Sequence, residues 1–359
     1  MALAQNHRLL VHKKLQETEY SNMNVFSTVL LDQKNNKKMY NNNLIPLGGF
    51  RIQIKNNQIV NIINGSGWVN PNRKKQYIML ILNVIKKYKL KDGNININLS
   101  DHPVIGVFNF CRIKNNKNYF LLPNMRFTYC DIKLSSEWIR DEFSTFEDTT
   151  TYLQNLHAQH NFENKINKFY TSCIPHNNKF DYFKFALNNI NICDGYMYGG
   201  SCHKYLRIPE IFINECKKNG LAGEEFKYFV EHFKYKYIIY NDGNTLSDRT
   251  RLLLNVNSVI IKKKSEYEEF YSYLLENNEN YIEYNRTQEL LRIFEHLEQD
   301  TKLCNIIINN NVNFVKNILT YDNILEYTAV LLNNVIYFTP LGVKYIYVLY
   351  NIFSIILFQ

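Results

Sequence analysis

Paired cysteines are missing from this chain. Its seven Cys stand at positions 111, 130, 173, 193, 202, 216 and 304, an odd number with no C-x-x-C among them. That argues against a zinc site or a disulfide framework and fits scattered thiols in a reducing compartment. Several chemical signatures are missing too. No D-x-D triplet occurs, and the histidines show no metal-ligand spacing; His157 and His160 stand three apart without a partner Cys or carboxylate. No G-x-G-x-x-G, G-x-x-x-x-G-K-[ST] or G-x-S-x-G is present, which removes the usual support for nicotinamide, P-loop and serine-hydrolase chemistry. The start, MALAQNHRLLVHKKL, has no apolar core segment, so no secretory signal is expected and a cytoplasmic setting follows. A concentrated basic face is also wanting. Forty-two Lys+Arg against 33 Asp+Glu leave +9, and the densest runs, such as Arg73-Lys74-Lys75 and Lys262-Lys263-Lys264, are short. Solvated surface explains them better than a nucleic-acid partner.

What is present is apolar material and length. With 359 residues, 45% hydrophobic and 14% aromatic, the chain can fill two domains. About one residue in seven is Asn, spread through all segment types, which reads as compositional bias and not as a functional tract. The run 345–358, YIYVLYNIFSIILF, is almost wholly apolar. It falls short of the ~20 residues of a spanning helix, leaving a buried terminal element or a membrane-associated tail.

Periodicity supplies the elements. Residues 50–63 alternate about an Asn-Asn turn, as a β-hairpin does. Residues 73–89 carry a helical stripe, and 94–99 read as a strand stopped by Pro103. Helices are predicted over 147–157, 180–187, 224–233, 247–255, 266–275, 288–298, 303–319 and 323–335, and strands over 235–240 and 258–261. Helix and strand alternate, which is α/β organisation, and the polar stretch 137–168 is the natural hinge.

The segment His232–Arg251, HFKYKYIIYNDGNTLSDRTR, carries the most chemistry. A strand runs into Asp242-Gly243, where Gly permits a sharp turn. Ser247 is placed to cap a helix whose first turn holds Arg249 and Arg251. Cations at a helix start oppose the dipole, so an anion such as phosphate is expected there, unless Asp242 and Asp248 simply pair with them. A second candidate is Asp101, at the carboxyl end of a predicted strand, where ligands of α/β sheets bind and a carboxylate can act as a base. A plain turn-forming Asp before Pro is the other reading.

These pieces resemble glycosyltransferase family 90, which includes protein O-glucosyltransferases and capsule xylosyltransferases. His232-Phe233-Lys234-Tyr235-Lys236-Tyr237 is similar to its H-x-K-Y-K-Y segment, and Asp242-Gly243 followed by Ser247-Asp248-Arg249 to its D/R-G…S-x-R donor loop. Ser258-Val259-Ile260, Glu268-Glu269-Phe270-Tyr271 and Tyr281-Ile282 follow in the family's order. Upstream, Ile97-Asn98-Leu99-Ser100-Asp101-His102-Pro103 resembles I-N-V-R-D-Y-P, and Val107-Phe108-Asn109-Phe110 resembles V-F-S-F. The likeness spans about 94–335. It implies two Rossmann-like lobes of the GT-B type: an acceptor-side lobe over 1–160, a nucleotide-sugar lobe over 161–338, and the apolar tail 339–359. It further implies inverting, metal-independent transfer of glucose or xylose from a UDP-sugar, with no cofactor, onto a glycan, protein or lipid hydroxyl. Asp101 would take the acceptor proton. Arg249 would hold the diphosphate, with His232, Asp242, Gly243, Ser247, Ser172 and Glu268 lining the donor site. The chain departs from the family pattern twice. Ser100 replaces the Arg before the aspartate, and Phe169-Tyr170-Thr171-Ser172-Cys173 lacks the arginines of F-R-G-S-R. His176 or Lys179 could supply charge in their place. A non-catalytic, glycan-binding descendant of the same fold is the alternative.

Overall fold

The computed structural model describes residues 39–116, 118–124, 127, 129–130, 144–173, 177–198, 208–225, 227–243, 245–247 and 249–336. The expectations at His176, at Asp248 and over 345–358 fall outside them.

Among the described residues the chain builds two main sheets, one per lobe, and three two-stranded ones, in a mixed α/β architecture of the two-lobed kind expected. The hairpin forms as read: β1 (Phe50–Lys55) and β2 (Gln58–Asn64) pair antiparallel. Their turn uses Asn56 and Asn57 at φ 51 and 57, the left-handed conformation that Asn tolerates best after Gly. β3 (Gly93–Ile97) pairs antiparallel with β1; β4 (Phe108–Asn109) and β6 (Phe120–Leu121) continue the sheet in parallel, in the order β2-β1-β3-β4-β6. Between β2 and β3, α1 (Pro71–Lys87) opens with Pro at N1 and an Asn70 cap. Its apolar stripe, Tyr77, Leu80, Ile81 and Val84, is buried against the sheet residues Ile52, Ile95, Ile97 and Phe108. Each such side chain contributes about 1.5–3 kcal/mol on burial.

The second lobe carries a parallel sheet. β9 (Ile166–Tyr170), β12 (Tyr235–Tyr240), β13 (Val259–Lys263) and β15 (Ile282–Tyr284) lie in the order β15-β13-β12-β9. Beyond β9, β10 (Ser172–Cys173) pairs with β11 (Tyr196–Met197), and Met197 bridges Ala222. Read across, the strands follow the 3-2-1-4-5-6 order of a doubly wound sheet, with its switch point between β9–β10 and β12. Near-continuous burial of Tyr237–Tyr240 and Val259–Lys262 is what a sheet covered on both faces requires.

Two predicted helices are replaced and a third is shortened. Over 224–233 the chain makes only a 3₁₀ segment, Phe229–Lys234, because Ala222 is already engaged at the sheet edge. The region 266–275 becomes β14 (Tyr267–Glu268) and a 3₁₀ turn, Ser272–Leu274; β14 is drawn out to pair antiparallel with β5 (Arg112–Ile113) of the first lobe. The predicted 247–255 helix shrinks to α5 (Thr250–Leu253), since Asn257 must turn left-handed, at φ 52, before β13. Earlier, β7 (Tyr129–Cys130) and β8 (Ser144–Thr145) pair antiparallel, and α2 (Phe146–Gln159), α3 (Asn177–Leu187) and α4 (Glu210–Lys218) form around the hinge and the sheet edge.

α6 (Glu289–Gln299), α7 (Thr301–Asn317) and α8 (Tyr321–Val335) end the described chain. α8 lies in sequence with the second lobe but in space against the first. Tyr327 donates to the Leu121 carbonyl at 2.7 Å, and Asn83 Nδ2 meets the Tyr321 hydroxyl at 2.6 Å. One buried cluster therefore runs from Phe50 and Ile81 through Phe127, Phe270 and Tyr327 into Tyr240 and Leu252. Among the described residues no helix is long and apolar enough to cross a membrane.

Candidate active site

The site grows from two strand ends. In the first lobe β3 stops at Ile97, and the turn that follows is shaped by buried asparagines. Asn98 Nδ2 donates to the His102 carbonyl at 2.7 Å and to Asn109 Oδ1 at 2.9 Å, and Asn109 binds Val104 through both its amide groups. These two residues were hidden in the sequence by the abundance of Asn; their burial distinguishes them. The turn presents Asp101, whose Oδ1 accepts from Arg73 Nη1 of α1 at 2.8 Å.

In the second lobe, β12 ends at Tyr240 and the loop 241–249 leaves at the switch point. Tyr284 hydrogen-bonds Asn241 Oδ1, and Ser265 donates to Asp242 Oδ2. Among the described residues, Asp242 Oδ1 is buried with no hydrogen-bond partner. Burial pushes the Asp242 carboxyl up from its ordinary value, against the Ser265 bond and the charges of Lys262, Lys114 and Lys179. Lys179, in the first turn of α3, is itself buried. These lysines come from three elements, Lys114 from the first lobe, and only the fold gathers them.

Arg249 closes the loop. Its Nη1 donates to the Ser172 carbonyl at 2.7 Å, and its Nε meets Ser247 Oγ at 3.3 Å. The carbonyl of Ser247 accepts from Thr250 Oγ1 at 3.0 Å and from the Tyr240 hydroxyl at 3.2 Å. The structure thus brings Ser172, Ser247 and Arg249 together across the switch point. It also corrects the local reading. Ser247 caps no helix: the cap position of α5 is Arg249 itself, and with four residues α5 has no dipole site to offer. Positive charge at this site is therefore side-chain charge. Arg251 is 4% exposed and its guanidinium lies 4.2 Å over the Phe146 ring and 5.4 Å over Phe127, between the lobes and away from Arg249. Gly243 does not adopt positive φ, and among the described residues an added Cβ would meet nothing within 4 Å, so the backbone there does not require glycine.

Two other predicted donor residues have protein partners. His232 is 2% exposed, its ring stacked on Phe229 and edge-on to Tyr170, with Nδ1 donating to the Phe229 carbonyl at 2.8 Å. Burial, aided by nearby Arg249, pulls its pKa down to about 3, so the ring is neutral. Glu268 accepts from Arg112 Nε at 2.6 Å in a pair whose side chains are 16% and 8% exposed. That pair sits within the β5–β14 ribbon joining the lobes.

The two walls touch. Thr245 Oγ1, in the loop after β12, donates to the main-chain carbonyl of Asp101 at 3.0 Å. Among the described residues no cluster of three His, Cys, Asp or Glu is arranged to hold a metal ion.

Comparison with known proteins follows this geometry. Among solved structures, the chain is similar to TarM, with a TM-score of 0.37 and 10% identity over 75% of this chain and 47% of that one. It is similar to a mutant TarM of S. aureus in complex with fondaparinux, alpha-GlcNAc-glycerol and UDP, with a TM-score of 0.35 and 12% identity over 61% and 52% of the two chains. A GtfA/B complex gives 0.34 and 8% over 79% and 64%. The chain thus spans about half the length of the TarM structures it matches. No curated protein matches it. The family model of glycosyl transferase family 90 matches residues 31–339, which include both sheets, the Asp101 turn and the 241–249 loop; the chain belongs to that family.

Proposed function

We propose that this chain is an inverting, metal-independent glycosyltransferase that moves glucose or xylose from a UDP-sugar to an acceptor hydroxyl. The observation that supports the reading is the hydrogen bond from Thr245 to the main-chain carbonyl of Asp101, which joins the residue proposed as base to the loop proposed to hold the phosphates. Asp101 accepts the acceptor's hydroxyl proton while that oxygen bonds to the anomeric carbon from the face opposite the leaving group. The bond from that carbon to the diphosphate breaks, and its electron pair leaves with UDP. Arg249, with the lysines that surround Asp242 (Lys179, Lys262 and Lys114), neutralises the charge that develops on the diphosphate, a part that preorganised cations play in enzyme sites. These lysines stand in for the arginines missing from 169–173. The unsatisfied Oδ1 of Asp242 fits a hydroxyl of the donor, because a buried acceptor without a partner is otherwise an unrepaid desolvation.

Incubation with UDP-glucose and with UDP-xylose, in buffer containing EDTA, tests this by UDP release. Asp101→Asn should lose transfer and keep UDP binding. No turnover and no UDP binding in the wild type would refute the proposal.

A second reading, a glycan-binding protein without catalysis, draws on the family arginines absent at 100 and 169–173. Calorimetry separates the two: that reading expects binding of glycans and none of UDP. For location, the 345–358 run would hold a cytoplasmic protein at a membrane face. Sedimentation with vesicles should then be lost when 340–359 is removed.

A further inference from the structure

Arg73 was read in the sequence as one of a short basic run on a solvated helix face. The structure places it elsewhere. It lies in the first turn of α1, where Asn70 Oδ1 accepts from its amide at 3.1 Å and no acidic residue is present. A cation there opposes the helix dipole by about 0.3–1 kcal/mol. Its Nη1 leaves the helix and meets two atoms of the Asp101 turn, the Leu99 carbonyl at 2.7 Å and Asp101 Oδ1 at 2.8 Å.

Stability alone accounts poorly for this arrangement. The two side chains are 28% and 34% exposed, and ion pairs so open to water contribute about 0–1 kcal/mol. Ser100, the immediate neighbour of Asp101, turns its hydroxyl back into the loop, within 2.8 Å of Asn98 Oδ1 and 2.9 Å of the His102 carbonyl. Meanwhile the Asp101 main chain is held from the opposite lobe by Thr245. The main chain is tied to the donor loop and the side chain is tied to α1, so the two contacts together fix the carboxylate's direction.

We infer that Arg73 is a positioning residue of the reaction: from α1 it supplies a cation that aims the Asp101 carboxylate. The inference rests on the proposed role of Asp101 as base. Arg73 touches neither donor nor acceptor in this role, so it should act on turnover and leave donor binding alone.

The test uses the full chain with UDP-glucose and UDP-xylose, comparing wild type, Arg73→Met, Arg73→Lys and Asp101→Asn. Turnover, donor KM, UDP affinity by calorimetry and thermal midpoint are measured for each. Arg73→Met should lower kcat about 10- to 100-fold, the scale on which a misplaced catalytic group loses rate. Its donor KM and UDP affinity should stay within about twofold of wild type, and Arg73→Lys should recover part of the rate. An unchanged kcat in Arg73→Met would overturn the inference. So would a joint fall of kcat, UDP affinity and thermal midpoint without recovery by Lys, which marks a purely structural staple. If the wild type does not turn over, or Asp101→Asn remains fully active, the underlying reading fails first and visibly, in proteins whose Arg73 is intact.

Discussion

The hydroxyl of Thr245 donates to the main-chain carbonyl of Asp101 at 3.0 Å, across 144 residues of sequence and between the two lobes. Thr245 is 2% exposed, and its Oγ1 reaches the turn that carries the proposed base while its own loop carries the proposed diphosphate grip. Thr245→Val keeps the shape and removes the donor. It should lower stability by about 1 kcal/mol, the usual net worth of a neutral hydrogen bond. It should lower kcat more than that loss implies. Urea unfolding beside steady-state turnover decides the matter; equal small effects on both would make the contact a simple staple.

Arg249 offers the site's planar fork, already committed by Nη1 to the Ser172 carbonyl. Arg249→Ala should weaken UDP binding by about 1.5–3 kcal/mol, as expected for lost charge-assisted hydrogen bonds. Arg249→Lys should restore only part, since an ammonium cannot hold a carbonyl and a phosphate in one plane. Titration calorimetry with UDP reads both.

Gly243 permits an unusually clean substitution. Among the described residues an added Cβ meets nothing within 4 Å, and the backbone is not in the left-handed region. Gly243→Ala should therefore leave the thermal midpoint unchanged or slightly raised. If the donor passes against this turn, its KM should rise. A variant indistinguishable from wild type in both would move the donor path away from Gly243.

His232 links pH to stability. Its folded pKa, about 3, is below the ordinary histidine value because the ring is buried beside Arg249. Below about 6.5 the unfolded chain binds a proton that the folded chain refuses, so stability is full above that pH and declines as pH falls towards 3. His232→Gln, which keeps an amide donor for the Phe229 carbonyl, should flatten that decline. Urea midpoints of the two proteins at pH 7 and pH 5 show it; parallel declines would mean that other groups set the acid limit.

The Arg112–Glu268 pair tests the joint between the lobes. Both partners are largely buried in the β5–β14 ribbon. Removing one charge by Arg112→Met should destabilise by about 3–5 kcal/mol, because Glu268 would be left uncompensated. The double replacement with Glu268→Leu should recover most of the loss. Thermal unfolding of the single and double variants measures the difference.

Elements set by near neighbours were legible in the chain. The Asn56-Asn57 hairpin, the stripe of α1 and helices α6 to α8 follow from side-chain periods and turn residues within a few positions of one another. The two predicted helices that were lost and the one that was cut short each met a competing demand on the chain. Tyr267 and Glu268 pair with β5, Ala222 joins the sheet edge, and the room left before β13 ends α5. A helical pattern has no means of registering such a rival.

The site divides in the same way. The order of strand, turn and Ser247…Arg249, and the aspartate at the end of β3, could be read directly and pointed to the family. Where the second arginine goes could not. Arg249 reaches the Ser172 carbonyl as one of the family-like positions, whereas Arg251, two residues on, lies on Phe146 and Phe127. The partnership of Arg73 with Asp101, the lysines gathered about Asp242, and the meeting of Thr245 with Asp101 depend on how two sheets are set against each other. By itself, the sequence determined the local conformations and the chemical repertoire. Only the tertiary structure decided which charges share a cleft, because charges interact through space and those that meet here lie from tens of residues to well over a hundred apart along the chain.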